Sequence, residues 1–93
     1  MVIGLLIIDL HIPHARSLKD KRMVLNRLRD RVRSRYNAAL AELDHQDKWQ
    51  RARVGIVTLN SQPHIVDELL QRVLADATGC LEAEIAGHEI RYF

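Results

Sequence analysis

Residues 2–12 read VIGLLIIDLHI, and this stretch decides the fold class. Its consecutive apolar residues predict a strand that is covered on both faces, or covered on one face and associating through the other. The run is not typical of a signal peptide, because no positive charge precedes it and Asp9 follows it directly. The apolar part, Val2 to Ile8, is also too short to span a bilayer. We therefore expect a central strand of a sheet, which Pro13 ends.

A helix is predicted to follow this strand, from Ser17 to about Arg35. Ser17 suits the N-cap position, and Asp20 stands three residues later as the second half of a capping box. The apolar face of this helix consists of residues at helical spacing: Leu18, Leu25, Leu28 and Val32. Asn37 can adopt the left-handed conformation that closes a helix.

The rest of the chain continues the alternation of strands and helices. Its predicted elements are a weak alanine-rich strand over Asn37 to Asp44, a polar turn over His45 to Lys48, a strand over Trp49 to Leu59, a helix over Ser61 to Thr78, and a last strand within Leu81 to Phe93. Pro63 suits the first turn of the second helix, and Gly79 is its predicted stop. The apolar face of that helix consists of Ile65, Leu69, Val73 and Ala77.

Two strand–helix–strand units joined by a hairpin predict an α+β, ferredoxin-like split βαβ sandwich of order β-α-β-β-α-β, as one domain over residues 1–93. Right-handed crossovers place strands one and three in the centre of a four-stranded antiparallel sheet, with both helices on one face. The open face then gathers apolar side chains: Ile3, Leu5, Ile7, Val57 and Leu59. Such a patch predicts a homo-oligomer, unless loops or the Tyr92-Phe93 tail cover it.

The first helix is strongly basic. Between Arg16 and Arg35, nine basic residues oppose two acidic ones, so the segment carries +7, and the remainder carries −5 because the whole chain carries +2. Helical geometry places Lys19, Arg22, Arg29 and Arg33 on one flank of the apolar stripe and Arg27, Arg31 and Arg35 on the other. Three interpretations stay open: binding of nucleic acid or another polyanion, a solvated helix face, and docking to an acidic protein surface.

No self-sufficient catalytic or metal signature is visible. Asp9, His11 and His14 near the end of the first strand, with His45 in the polar turn, carry groups that bind metals or exchange protons. Their spacing matches no metal motif, so we predict no enzyme, no metal and no cofactor. Cys80 is the only cysteine, which fits a reducing cytosolic compartment, and we expect its side chain to be a small buried hydrophobe.

Aromatic residues are too few for the best-known RNA-binding use of this fold. An RNA-recognition domain stacks bases on aromatic side chains of its central strands, and strands one and three here contain none in their apolar runs. Stacking on the sheet face is therefore excluded. Trp49, the only tryptophan, either stacks on a base or simply closes the hairpin.

Four segments resemble the signature of the YlxP-like family of small bacterial proteins of unknown function. They are His11-Ile12-Pro13, SLKDKR at residues 17–22, DHQD at residues 44–47 and WQRA at residues 49–52. The resemblance covers nearly the whole chain and implies a ferredoxin-like fold. The family's genes tend to lie among those for transcription termination, translation initiation and ribosome maturation, which implies an RNA or ribosome context. No catalytic residues are established for the family.

These observations lead us to expect a non-enzymatic, cytosolic RNA- or ribosome-associated factor with no membrane segment. The residues expected to contact phosphates are Lys19, Lys21, Arg22, Arg29 and Arg33. The alternative is a dimeric protein-interaction or small-ligand-binding module. We expect the loop after strand one and the Trp49 hairpin to lie at opposite ends of the sheet, and the hairpin to be largely structural.

Overall fold

The sheet is four-stranded and antiparallel throughout, as the computed structural model of residues 1–80 and 82–93 shows. The elements in chain order are β1 (Val2–His11), α1 (Leu18–Arg35), β2 (Ala39–Asp44), β3 (Arg51–Asn60), α2 (Pro63–Cys80) and β4 (Glu84–Tyr92). The strand order in the sheet is β2-β3-β1-β4, and all three neighbouring pairs are antiparallel. The ferredoxin-like fold is therefore confirmed. No described helix is long and apolar enough to cross a membrane.

The core lies between one face of the sheet and the two helices. On the sheet side, alternate residues of β1 and β3 are buried: Leu6, Ile8, Leu10, Ala52, Val54 and Ile56. On the helix side, the buried apolar residues are Leu25, Leu28, Val32, Val66, Leu70, Val73 and Ala77. The predicted stripe of α1 is confirmed in three of its four residues, because Leu18 is only half-buried.

The predicted apolar face of α2 is partly wrong. Ile65 is exposed and Leu69 half-buried, whereas Val66 and Leu70 are fully buried. Ile65 and Leu69 are four residues apart, and so are Val66 and Leu70, so helical spacing does not distinguish the two pairs. Packing against the sheet decides which pair is buried. Gly4 in β1 permits that contact, because a Cβ atom built there would overlap Val66 and come within 2.8 Å of Leu70 Cδ1.

The helix ends show how well the capping predictions hold. The Ser17 hydroxyl accepts a hydrogen bond from the Asp20 amide at 3.1 Å, so the predicted N-cap is confirmed. Left-handed closure at Asn37 is wrong, because α1 ends on Tyr36 in extended backbone, and His45 is the one described non-glycine residue with positive φ. The stop at Gly79 is also wrong, since α2 extends to Cys80. The predicted burial of the Cys80 side chain and the placement of residue 81 lie outside the described residues.

The opposite face of the sheet carries the predicted apolar patch. Ile7 is buried there, while Ile3 and Leu5 are half-buried. Val57 is 40% exposed and Leu59 56% exposed. The Tyr92 hydroxyl donates to Asp67 of α2 at 2.6 Å on the helix side, so Tyr92 does not cover these side chains. Phe93, whose backbone pairs with that of Ile3, is itself exposed.

Candidate functional site

The loop after β1 and the hairpin between β2 and β3 lie at the same end of the sheet, so the expectation of opposite ends is wrong. Strands β1 and β2 are each antiparallel to β3, which makes them parallel to one another. Their carboxyl ends therefore share one end of the sheet. The backbone N–H of Ile12 donates to the carbonyl of Gln50 at 2.8 Å and joins the two loops directly.

Two polar side chains anchor this hairpin. The Gln50 amide donates to the carbonyls of Pro13 and Ala15, both at 3.2 Å. From α1, the Lys21 ammonium donates to Glu42 Oε2 at 2.8 Å and to the carbonyls of two hairpin residues, His45 at 2.7 Å and Arg51 at 3.3 Å. The hairpin is thereby held against both the β1 loop and the first helix.

The prediction that Lys21 contacts phosphate is wrong for a physical reason. Its side chain is only 1% exposed, and its three N–H donors are used by Glu42 and the hairpin carbonyls. The sequence does contain a signal for this: Lys21 precedes Leu25 by four residues and Leu28 by seven, so it lies on the apolar stripe. The anchoring roles of Gln50 and Glu42 have no comparable signal and were not predicted.

His45 bends the chain at the tip of the hairpin. Its φ of 65° lies in the left-handed region, which costs energy in a non-glycine residue. Hydrogen bonds offset this cost: the His45 amide donates to Asp44 Oδ1 at 2.7 Å, and its carbonyl accepts from the Lys48 amide at 2.9 Å as well as from Lys21. In the structure, His45 thus acts through its backbone, which turns the chain and makes these hydrogen bonds.

Trp49 lies in the anchored hairpin, two residues before β3 begins. It is 53% exposed and borders a shallow depression. The residues that line the depression are His11, Asp47, Lys48, Trp49, Gln50 and Arg51. His11 also lies beside β4, with its Nδ1 atom 3.3 Å from Glu84 Oε2. This end of the sheet therefore presents an indole ring among lysine, arginine, histidine and aspartate side chains.

The four other predicted phosphate contacts lie together on one side of α1, which we call the basic flank: Lys19, Arg22, Arg29 and Arg33. Three of them are exposed, and Arg29 is half-buried. Throughout residues 1–80 and 82–93, none of the four has a carboxylate oxygen within 4.0 Å. Within the described part of the chain, the positive charge of this flank is therefore not paired with any carboxylate.

The other flank of α1 faces α2 and is partly neutralised. Arg31 Nε and Arg35 Nη1 lie 4.0 Å and 3.7 Å from Asp76 Oδ2. The Tyr36 hydroxyl donates to the same oxygen at 2.6 Å, and this hydrogen bond raises the pKa of Tyr36. Arg27 lines a depression that also contains the carboxylates of Asp20 and Glu82. The two flanks of α1 thus differ in how far carboxylates neutralise their positive charge.

Asp9 belongs to an ion-pair network on the open sheet face. Arg53 donates to both Asp9 oxygens at 3.0 Å and 2.9 Å and to Glu89 at 3.0 Å. The hydrogen bonds to Asp9 raise the pKa of Arg53, and the hydrogen bond from Arg91 lowers the pKa of Glu89. Asp9 is therefore paired with a guanidinium group. Among the described side chains, no group of three or more His, Cys, Asp or Glu residues could hold a metal ion.

Comparison with known proteins gives three findings. A family profile described as "Protein of unknown function (DUF503)" matches residues 3–90. The uncharacterized protein YlxP of Bacillus subtilis (strain 168) is 44% identical over 61 residues, which are 66% of this chain and 66% of that protein. A crystal structure of a C-terminal segment of the alpha subunit of aIF2 from Pyrococcus abyssi matches with a TM-score of 0.53 and 17% identity. That match covers 100% of this chain but 49% of the other, and it concerns the fold alone.

Proposed function

We propose, from the premise that this chain belongs to the DUF503 family of proteins of unknown function, that it is a non-enzymatic, cytosolic RNA- or ribosome-associated factor. The basic flank would bind the phosphate backbone. The observation that carries this proposal is that Lys19, Arg22, Arg29 and Arg33 lie together with no carboxylate within 4.0 Å among the described residues. An approaching polyanion would supply the counter-charges that the fold omits.

The energetics of the helix support a ligand for this flank. Arg29 and Arg33 are four residues apart, and like charges at that spacing destabilise a helix by a few tenths of a kcal/mol, roughly. The flank also has no core-filling role, because the buried face of α1 is formed by other residues. Planar guanidinium groups match phosphate oxygens in pairs, and they are suited to a backbone contact with little sequence preference.

The test is the salt dependence of binding to a labelled single-stranded RNA. With about four phosphates neutralised, log K should fall with log salt at a slope of about −3. Replacing Arg22, Arg29 and Arg33 together with glutamine should weaken binding to every RNA by similar factors and flatten the slope by about two units. The fold should survive, because these side chains do not fill the core.

The matched control is the triple glutamine variant of the opposite flank, at Arg27, Arg31 and Arg35. It removes the same charge from the same helix, so both variants have the same overall net charge. We expect a clearly smaller effect on RNA affinity, because Asp76 already neutralises part of that flank. Equal losses for the two triple variants, or no RNA binding by the wild-type protein at low salt, would contradict the proposal.

A second candidate function is supported by the open sheet face: interaction with a second copy of the chain. Val57 and Leu59 expose apolar surface there. Beside them, the network of Asp9, Arg53, Glu89 and Arg91 contains equal numbers of acidic and basic groups. A copy related by two-fold symmetry would therefore meet no net charge from this network. Because α1 and α2 cover the opposite face, such a dimer would leave the basic flank free.

The oligomer is tested by light scattering at tens of micromolar protein. We expect a dimer mass for the wild-type protein and a monomer mass for Val57→Lys, with Ile65→Lys on the exposed side of α2 as the matched control that stays dimeric. A monomer mass for the wild-type protein would remove this candidate and leave the RNA proposal in place.

A further inference from the structure

The indole of Trp49 is exposed on a segment that is otherwise firmly anchored. Gln50, its neighbour, is tied to the β1 loop through both its carbonyl and its side-chain amide. Arg51 follows and accepts a hydrogen bond from the buried Lys21 through its carbonyl. The core clusters do not include Trp49, which is 53% exposed. A large aromatic ring is thus presented to solvent from a backbone of defined position.

The surroundings of Trp49 suit a nucleotide. Lys48 and Arg51 line the same depression as the indole and supply positive charge for a phosphate, which exceeds the single negative charge of Asp47, and His11 adds a hydrogen-bonding group. Every nucleobase has a flat apolar face that can stack on an indole ring, and such stacking tolerates any base. The depression is open and shallow, which fits one unpaired base better than an enclosed small molecule.

The position of this hairpin connects it to the basic flank. Lys21 binds the carbonyls of His45 and Arg51, and its sequence neighbours on α1 include Lys19 and Arg22. The first turn of α1 therefore lies at the same end of the sheet as the hairpin, and the flank extends from Lys19 along the helix to Arg33, about 21 Å at 1.5 Å per residue. An RNA strand whose phosphates follow the flank can place one base at this end.

We propose that Trp49 is a stacking platform for one unpaired RNA base, with Lys48 and Arg51 at its phosphate. This inference rests on the proposed function and adds to it the class of RNA that is bound: a segment with unpaired bases. Stacking here takes place on the hairpin at the end of the sheet, whereas the central strands β1 and β3 contain no aromatic residue.

Fluorescence reports on this site directly, because Trp49 is the only tryptophan. An adenosine octanucleotide should quench the emission of Trp49 as it binds. An abasic oligonucleotide with the same number of phosphates should bind the basic flank, as measured by the anisotropy of an end label, but should leave the emission nearly unchanged. Quenching by both probes alike, or by neither, would overturn the stacking assignment.

Two variants separate this proposal from the phosphate-binding one. Trp49→Ala should weaken binding of the octanucleotide by about 5- to 150-fold, which is equivalent to about 1–3 kcal/mol for one stacked base. Trp49→Phe should keep most of the affinity, because phenylalanine can also stack on a base. Neither should affect the abasic probe. If Trp49→Ala leaves octanucleotide affinity unchanged while the triple variant of the basic flank abolishes it, stacking is refuted and phosphate binding stands. If the wild-type protein binds neither probe, both proposals fail.

Discussion

Replacing Lys21 with methionine should destabilise the protein far more than any other single loss of positive charge on α1. Methionine keeps the unbranched apolar stem but removes the ammonium group. The Glu42 carboxylate and the carbonyls of His45 and Arg51 then lose their donor. Breaking a buried ion pair on one side costs about 3–5 kcal/mol. Because the Glu42 side chain is 21% exposed and water can reach it, we expect about 3 kcal/mol, the lower end.

The assay is urea unfolding followed by far-UV circular dichroism. The midpoint should fall with little change in slope, because the same surface is exposed on unfolding. In thermal unfolding the same loss corresponds to a decrease of about 12–24 °C, at roughly 4–8 °C per kcal/mol for a domain of this size. Lys19→Met is the matched control: that side chain is exposed, and the change should stay within about 0.5 kcal/mol.

A double variant tests whether Glu42 is the partner that matters. Lys21→Met combined with Glu42→Leu removes the uncompensated carboxylate, so it should recover roughly 1–2 kcal/mol of the loss. The reasoning is refuted if Lys21→Met costs less than about 1 kcal/mol, or if the two substitutions are simply additive.

The remaining predictions concern packing, pH and backbone strain. Gly4→Ala should cost about 1–3 kcal/mol in urea unfolding, because the new methyl group overlaps Val66. The hydrogen bond to Asp76 raises the pKa of Tyr36 above its ordinary value of 10.0, so its stabilising contribution is complete below that pH and is lost as pH rises past it. As pH rises through and above 10.0, the urea midpoint of unfolding should therefore fall more steeply for wild-type protein than for Tyr36→Phe. His45→Val should cost about 1–3 kcal/mol because a β-branched residue resists positive φ, whereas His45→Gly should be tolerated; equal losses would contradict the strain at this turn.

Local patterns were sufficient where neighbouring residues along the chain decide the structure. The N-cap at Ser17 and the apolar stripe of α1 follow from spacing within a few turns; the N-cap is confirmed, and so are three of the four residues of the stripe. Patterns failed where two registers were equally apolar. In α2, Ile65 and Leu69 compete with Val66 and Leu70, and only packing against β1 at Gly4 selects the second pair.

In the candidate site too, local sequence patterns predicted some features and tertiary packing decided the others. The sequence alone determined the order of the elements, the central place of β1 and β3 and the concentration of positive charge on α1, because hydrophobic periodicity, charge and the handedness of crossovers follow from local properties of the chain. Only the tertiary structure decided that Lys21 points inward, that Gln50 ties the hairpin to the β1 loop, and that Trp49 lies at the end of the sheet where the basic flank begins. These outcomes depend on contacts between residues far apart in the chain, and a contact of that kind exists only after the strands have paired and the helices have packed on them.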